Sequence, residues 1–169
     1  MTATRPQLKW LWISFWVILL DQVTKQIAET QLIPHQPVNV MPYFDWFLTY
    51  NTGAAFSLLA DAGGWQRWLF TAIAIVISIV IVQWLRNLPA DETLTALSLS
   101  LILGGAIGNL IDRIWLGHVI DYIQVWLGSY PFPAFNLADA AISVGAVLLI
   151  ISSFIGERKP DSSESDEHD

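Results

Sequence analysis

The fold of this chain is decided by residues 135–155, which read FNLADAAISVGAVLLIISSFI. A stretch of about 20 predominantly apolar residues is long enough to cross the ~30 Å hydrocarbon core of a bilayer as a helix. This stretch nevertheless carries an acidic residue, Asp139, one turn from its start. A carboxylate inside a membrane span costs roughly 2.5–3.5 kcal/mol on insertion scales, so Asp139 is a candidate functional residue.

The composition of the whole chain agrees with several such spans. Hydrophobic residues make up 54% of the 169 residues and charged residues only 14%, whereas a soluble domain typically carries about 25% charged residues. The sequence therefore predicts a small, mainly α-helical, polytopic membrane protein, with no sign of a nucleic-acid partner. The absence of cysteine excludes disulfides and thiolate chemistry. The three histidines are scattered and form no HExxH motif, so we expect no metal and no other cofactor.

Three further spans are predicted, at about residues 8–28, 65–85 and 93–112. The first is the least simple, because its apolar run Trp10–Leu20 is short and follows basic residues, as in a secretory signal segment. No small-x-small cleavage site follows this run, so we expect a retained helix that carries Asp21 and Lys25 near its far end.

The distribution of charge predicts the domain organisation and the orientation. Residues 1–156 are expected to form one membrane domain, and residues 157–169, with six acidic residues, a disordered tail. Four spans put both termini on one side. Most basic residues belong to that side or to the short second loop: Arg5, Lys9, Arg86, Arg158 and Lys159. The positive-inside rule then places both termini and the tail in the cytoplasm.

In this arrangement the unexpected polar residues converge on the outer membrane face. They are Asp21, Lys25, Asn51, Asn109, Asp112, Arg113, Asp121, Asn136 and Asp139. A transport path would continue across the membrane, but the inner halves of the predicted spans are apolar. The pattern therefore favours an enzyme that acts on a membrane-embedded substrate over a small transporter or ion-translocating protein, which stays the alternative. A purely structural protein is a third interpretation.

The segments between the spans are predicted to build the rest of the site. Pro37–Tyr50 mixes β-branched and aromatic residues in partial alternation, which favours short strands in a small extracytoplasmic sheet. Asn51–Gly64 is either a short amphipathic helix that acts as a movable flap or a static loop. Pro131 and Pro133 stop any helix and turn the chain back, which would let Asp121 approach Asp139.

Several polar residues have a structural interpretation beside a functional one. Asp21 and Lys25, at i and i+4, are in the favourable order for an intrahelical ion pair. Arg113 would pair with Asp112 or lipid phosphate, or donate to a substrate group. Asn109 would bind a neighbouring helix or the substrate. Asn136 is a favoured N-cap residue, or it orients Asp139.

Gly104 and Gly108 form a GxxxG pattern, which is typical of close helix packing and, less often, of close substrate approach.

Five short motifs, taken in order, identify a family. They are DQVTK at 21–25, YNTGAAFS at 50–57, GNLIDR at 108–113, GHVIDY at 117–122 and FNLADAAI at 135–142. Over about residues 8–155 the chain closely resembles the lipoprotein signal peptidases, also called signal peptidase II, which are bacterial aspartyl proteases.

The resemblance implies an activity and a set of site residues. Members of this family cleave the signal peptide from prolipoproteins carrying a diacylglyceryl group, just before the modified cysteine. By resemblance, the catalytic dyad is Asp121 and Asp139. The polar site lining is Asn51, Asn109, Arg113 and Asn136, and the supporting residues are Asp21, Lys25, Asp112, Gly53 and Gly108. The resemblance also implies the bacterial inner membrane, contacts with membrane lipids, a monomer, and inhibition by the cyclic peptide globomycin.

Overall fold

The computed structural model describes residues 7–53 and 64–156 of the chain. Within these residues, a 3-10 turn, Gln7–Trp10, leads into the first of four α-helices and four β-strands. In chain order they are α1 (Leu11–Gln31), β1 (Val38–Met41), β2 (Phe44–Asn51), α2 (Trp65–Asn87), α3 (Thr93–Trp115), β3 (Val119–Leu127), β4 (Tyr130–Pro131) and α4 (Leu137–Gly156). The predicted acidic tail and most of the predicted flap, residues 54–63, lie outside the described residues.

The four predicted spans are confirmed as helices. Three of them, α2, α3 and α4, are long and apolar enough to cross a membrane by themselves. Helix α1 is the fourth span and, with 21 residues, extends about 30 Å. Two of its three charged residues, Asp21 and Lys25, are almost completely buried inside the protein, and the third, Glu29, lies half-buried near its C-terminal end. Asp21 and Lys25 therefore face the helix bundle, as intramembrane charges generally must.

Helix α3 is the central helix, and α1, α2 and α4 all pack against it. Small residues allow this close approach. A Cβ at Gly104 would lie 2.7 Å from the Cβ of Val17 on α1, and one at Gly105 would collide with the Ala138 carbonyl oxygen on α4. The packing interpretation of the GxxxG pattern is confirmed at Gly104, whereas Gly108 leaves room for the carboxylate of Asp21.

The strands form one antiparallel sheet in the order β1-β2-β3-β4. The short strands predicted within Pro37–Tyr50 are confirmed as β1 and β2. Strand β3 was not predicted: Asp121, in the segment between the third and fourth spans, lies on this strand and pairs with Thr49 of β2. The strand escaped detection because its first four residues are all buried, which removes the polar–apolar alternation of a half-exposed strand.

The chain between β3 and α4 stays attached to β3. Gly128 turns it with a positive φ of 64°, and Pro131 occupies the short edge strand β4, where a missing N–H is tolerated. Phe135 then pairs with Ile123, donating to its carbonyl oxygen and accepting from its N–H at 2.9 Å each. The start of α4 is thereby held beside the strand that carries Asp121, as the proline turn predicted.

Candidate active site

A cavity of about 710 Å³ lies where the sheet meets the ends of α3 and α4. Four elements place polar side chains in it: Asn51 from β2, Asn109 and Arg113 from α3, Asp121 from β3 and Asp139 from α4. Its other walls are mostly apolar and include Phe47, Val119, Phe132, Pro133 and Phe135. The predicted dyad and three of the predicted lining residues therefore line one cavity, whereas the fourth, Asn136, is completely buried and is not part of its wall.

The first turn of α4 carries Asp139 in a reciprocal cap. The N–H of Asp139 donates to Oδ1 of Asn136 at 2.9 Å, and the N–H of Asn136 donates back to Oδ2 of Asp139 at 3.3 Å. This is the geometry of a capping box, in which N-cap and N3 side chains satisfy each other's free amides. Asn136 is thus the N-cap of α4, and Asp139, three residues later, is the second member of the capping box.

The side-chain amide of Asn136 reaches the second aspartate. Its Nδ2 donates to Oδ1 of Asp121 at 2.8 Å and also lies 3.1 Å from Oδ1 of Asn109. Asn136 is completely buried, so these bonds are shielded from water. Both interpretations of Asn136 therefore hold, because one residue caps the helix and binds both aspartates.

Asn109 connects Asp139 to the interior of the bundle. Its Nδ2 donates to Oδ1 of Asp139 at 2.7 Å, and its Oδ1 accepts from Nζ of Lys25 at 2.9 Å. The interhelical role of Asn109 is confirmed, since it joins α1 and α4 through α3.

Asp121 is 2% exposed and receives a second hydrogen bond from Nδ2 of Asn51, at 3.1 Å. Oδ1 of Asn51 accepts from the N–H of Gly53 at 3.0 Å, which orients the amide. Burial, and then the negative charge of Asp139, raise the pKa of Asp121 to about 7, while the bond from Asn51 acts in the opposite direction. Near neutral pH the Asp121 carboxyl is therefore protonated in a large fraction of molecules.

Arg113 lines the cavity and, within residues 7–53 and 64–156, its guanidinium makes only long polar contacts. Its Nη1 is 3.4 Å from the carbonyl oxygen of Asn109, its Nη2 is 3.5 Å from that of Gly53, and its guanidinium lies 5.5 Å from the ring centre of Phe70. The predicted pairing of Arg113 with Asp112 is wrong, because among the described residues Asp112 pairs with Lys25. The guanidinium therefore has donors available for a group that enters the cavity.

Behind the cavity lies a buried ion cluster formed by Asp21, Lys25 and Asp112. Nζ of Lys25 is 2.8 Å from Oδ2 of Asp21 and 2.8 Å from Oδ2 of Asp112. The predicted intrahelical ion pair is thus confirmed, and it extends to a carboxylate on α3.

Our sequence interpretation missed Gln22, whose Nε2 donates to Oδ1 of Asp112 at 2.9 Å. Its place inside the DQVTK motif was the available signal.

The fold and the cavity together define a class of protein. It is an integral membrane protein with two aspartates that line one cavity at the helix ends, as in an aspartyl peptidase of the membrane. The family model described as "Signal peptidase (SPase) II" matches residues 13–155.

Relatives and solved structures agree with that match. A lipoprotein signal peptidase of Pseudomonas putida is 54% identical over 157 residues, which cover 92% of each chain. The lipoprotein signal peptidase of Pseudomonas aeruginosa strain PAO1 is 52% identical over 158 residues, covering 92% of this chain and 94% of that one. A solved bacterial membrane enzyme has a TM-score of 0.80 and 31% identity, with 92% of this chain and 93% of that chain covered. The chain belongs to the signal peptidase II family.

Proposed function

We propose that this protein is an endopeptidase that removes the signal peptide from prolipoproteins carrying a diacylglyceryl group, cutting just before the modified cysteine. The observation that carries the proposal is that Asp121 and Asp139 line one cavity and are both hydrogen-bonded to Asn136. The alternative of a small transporter is not favoured, because the family match covers residues 13–155 and the relatives are peptidases.

The chemistry proposed is hydrolysis by two carboxyl groups that share a proton. One carboxylate takes a proton from a water molecule, whose oxygen attacks the carbonyl carbon, while the other carboxyl donates its proton to the carbonyl oxygen. On collapse of the tetrahedral intermediate the C–N bond breaks, the departing nitrogen takes the proton that the first carboxyl received from water, and a hydroxyl of the intermediate returns a proton to the second carboxylate. The raised pKa of Asp121 supports this scheme, because it keeps one proton on the pair near neutral pH.

The other cavity residues receive roles that follow from their chemistry. We assign Arg113 to the developing oxyanion or to a nearby ester oxygen, since its guanidinium has donors available. Asn51, Asn109 and Asn136 orient the two carboxyl groups by donating to them. The apolar wall that includes Phe47, Phe132 and Phe135 suits the acyl chains of the diacylglyceryl group.

We also propose an orientation in the bacterial inner membrane, with both termini cytoplasmic and the cavity near the outer face. Support comes from Lys9, just before α1, and Arg86, in the last turn of α2, because these helix ends lie opposite the cavity-bearing end. Residues 1–156 then constitute one membrane peptidase domain, and residues 157–169 a disordered cytoplasmic tail.

Two further proposals concern partners. The protein acts as a monomer, because a single chain supplies both aspartates and the amides that orient them. Globomycin binds in the cavity of about 710 Å³ and competes with the substrate. Competition is measured as an increase in the apparent KM with unchanged kcat, and a decrease in kcat alone would contradict a shared cavity.

The test is cleavage of a diacylglyceryl-modified prolipoprotein by the purified protein, followed as a gel shift. We expect cleavage by the wild type, none by Asp121→Asn or Asp139→Asn, and none with unmodified prolipoprotein. Asp45→Asn is the matched control, since Asp45 is also buried but bonds Asn39 and Trp126 in the sheet, and it should retain cleavage. Retained cleavage by a folded Asp121 or Asp139 variant would rule out the two-aspartate mechanism.

A further inference from the structure

The buried ion cluster is connected to the backbone next to each aspartate of the dyad. Oδ1 of Asp21 accepts from the N–H of Ala138 at 2.9 Å, and Ala138 immediately precedes Asp139. Oδ2 of Asp112 accepts from the N–H of Ile120 at 3.3 Å, and Ile120 immediately precedes Asp121. Each carboxylate of the cluster therefore holds the main chain one residue before a different member of the dyad.

Lys25 joins these two attachments at one atom. Its Nζ has three N–H donors, and the structure supplies three acceptors: Asp21 and Asp112, each at 2.8 Å, and Oδ1 of Asn109 at 2.9 Å. The lysine side chain is completely saturated and almost completely buried. A change in its position would therefore be transmitted to both carboxylates at once.

The third bond of Lys25 fixes the direction of an amide. An ammonium group only donates, so the oxygen of Asn109 must face Lys25. The Nδ2 of Asn109 must then point away from the lysine, toward Oδ1 of Asp139, which it meets at 2.7 Å. Without the ammonium, the oxygen of Asn109 would keep the longer bond from Nδ2 of Asn136, at 3.1 Å, but lose its charge-assisted hydrogen bond, and the Asn109 side chain would be held less tightly.

The ion cluster is tightly packed. A Cβ added at Gly108 would lie 2.6 Å from Oδ2 of Asp21, so the carboxylate is packed directly against the α3 backbone. Stability alone is a weak reason for such a cluster, because desolvation largely cancels the attraction between buried charges. The hydrogen bonds from the cluster to the backbone beside Asp121 and Asp139 give a functional reason for its presence.

We propose that Lys25 is a positioning residue of the peptidase reaction, which sets the separation of the two backbone segments that carry Asp121 and Asp139. The inference rests on the proposed function and explains how α1, which contributes no side chain to the cavity lining, controls the chemistry inside it. Hydrolysis by two carboxyl groups depends on their mutual geometry, and a misplacement of about 1 Å can lower a rate about 100-fold.

The structure offers a direct way to test this role by chemical rescue. A second cavity, of about 140 Å³, shares no lining residue with the first but reaches the cluster, and it is lined by Lys25, Gln26, Glu29 and Asp112, among others. In Lys25→Ala, we expect kcat to fall about 100-fold with KM within about twofold of the wild type, and propylammonium to restore at least about tenfold of the loss. Neutral 1-propanol, of similar size, should restore nothing.

Two further variants keep the result decisive. Lys25→Met combined with Asp112→Asn preserves the net charge of the cluster, so it should fold even where Lys25→Ala does not, and its kcat should be similarly low. Ser14→Ala is the matched control, because Ser14 also joins α1 to α3, through the Ser100 carbonyl oxygen at 2.7 Å, without contacting the ion cluster, and its kcat should be unchanged.

The outcomes separate the inference from the proposed function. If the wild type cleaves and the folded double variant has a kcat within about threefold of the wild-type kcat, the positioning role is overturned and the proposed function stands. Rescue by 1-propanol as well as by propylammonium would also overturn it, since filled space rather than a cation would then suffice. Failure of the wild type to cleave any diacylglyceryl-modified prolipoprotein would instead overturn the proposed function.

Discussion

Asn136 donates a hydrogen bond of 2.8 Å from its Nδ2 to Oδ1 of Asp121, and so joins the N-terminus of α4 to strand β3. The same residue caps α4 and exchanges two hydrogen bonds with Asp139. The local start of a membrane helix and the long-range approach of two carboxyl groups therefore depend on one side chain.

This dual role can be separated by substitution. Asn136→Ser keeps an N-cap hydroxyl but lacks Nδ2, so we expect near-wild-type stability and a strong loss of cleavage. Asn136→Ala removes both functions and should also destabilise the fold by about 1–2 kcal/mol. Thermal unfolding in detergent and kcat are the measurements. Equal stability of the two variants would show that the cap contributes little.

The raised pKa of Asp121 predicts a pH dependence of catalysis. The dyad needs one proton, and Asp121 loses its proton as the pH rises through about 7. We therefore expect kcat to fall on the alkaline side of about pH 7, measured over about pH 5–9. The bond from Asn51 lowers this pKa, so Asn51→Ala should move the fall to higher pH. A flat profile up to about pH 9 would contradict a shared proton.

The same pKa shift predicts how stability depends on pH. Because the folded protein binds the Asp121 proton more tightly than the unfolded chain, this group favours folding most below its ordinary pKa of 3.8. That contribution decreases as the pH rises toward about 7 and is then lost. Asp121→Asn, which cannot ionise, should unfold at a temperature that depends less on pH across this window. If the unfolding temperature of Asp121→Asn depends on pH as strongly as that of the wild type, other titrating groups cause the dependence.

Gly108 and Gly104 offer a matched pair of substitutions on α3. Alanine at either position forces a close contact, with the Asp21 carboxylate or with Val17 respectively, and overpacking typically costs about 1–3 kcal/mol. We expect Gly108→Ala to lower kcat as well, because it displaces the ion cluster behind the dyad. Gly104→Ala should lower only the unfolding temperature. Equal kcat values in the two folded variants would contradict this distinction.

Arg113→Lys tests the guanidinium in the cavity. Lysine keeps the positive charge but loses the planar pair of donors, so we expect kcat to fall about 100-fold if Arg113 binds the developing oxyanion. Arg67→Lys is the control, because Arg67 donates to the Ile114 carbonyl oxygen and does not line the cavity. If Arg113→Lys cleaves at nearly the wild-type rate, the positive charge of Arg113 is sufficient and its paired donors are not required.

Much of the architecture was predictable, because the information for it is local in the sequence. The length and apolarity of a span, the i and i+4 spacing of Asp21 and Lys25, and the capping preference of Asn136 each depend on residues within a few turns. Asp139 was also evident as a candidate, since a carboxylate is too costly in an apolar span to be incidental, whereas Asp121 was assigned as its catalytic partner by the family resemblance.

The tertiary structure decided how these residues are connected. Asp112 has Arg113 as its sequence neighbour but pairs with Lys25, because α1 packs against α3 and brings the ammonium within 2.8 Å. Strand β3 was hidden because both of its faces are covered at Asp121, and that covering comes from elements distant in sequence. Hydropathy and spacing report how each residue meets water or lipid, whereas the choice among several buried partners depends on which helices and strands pack together.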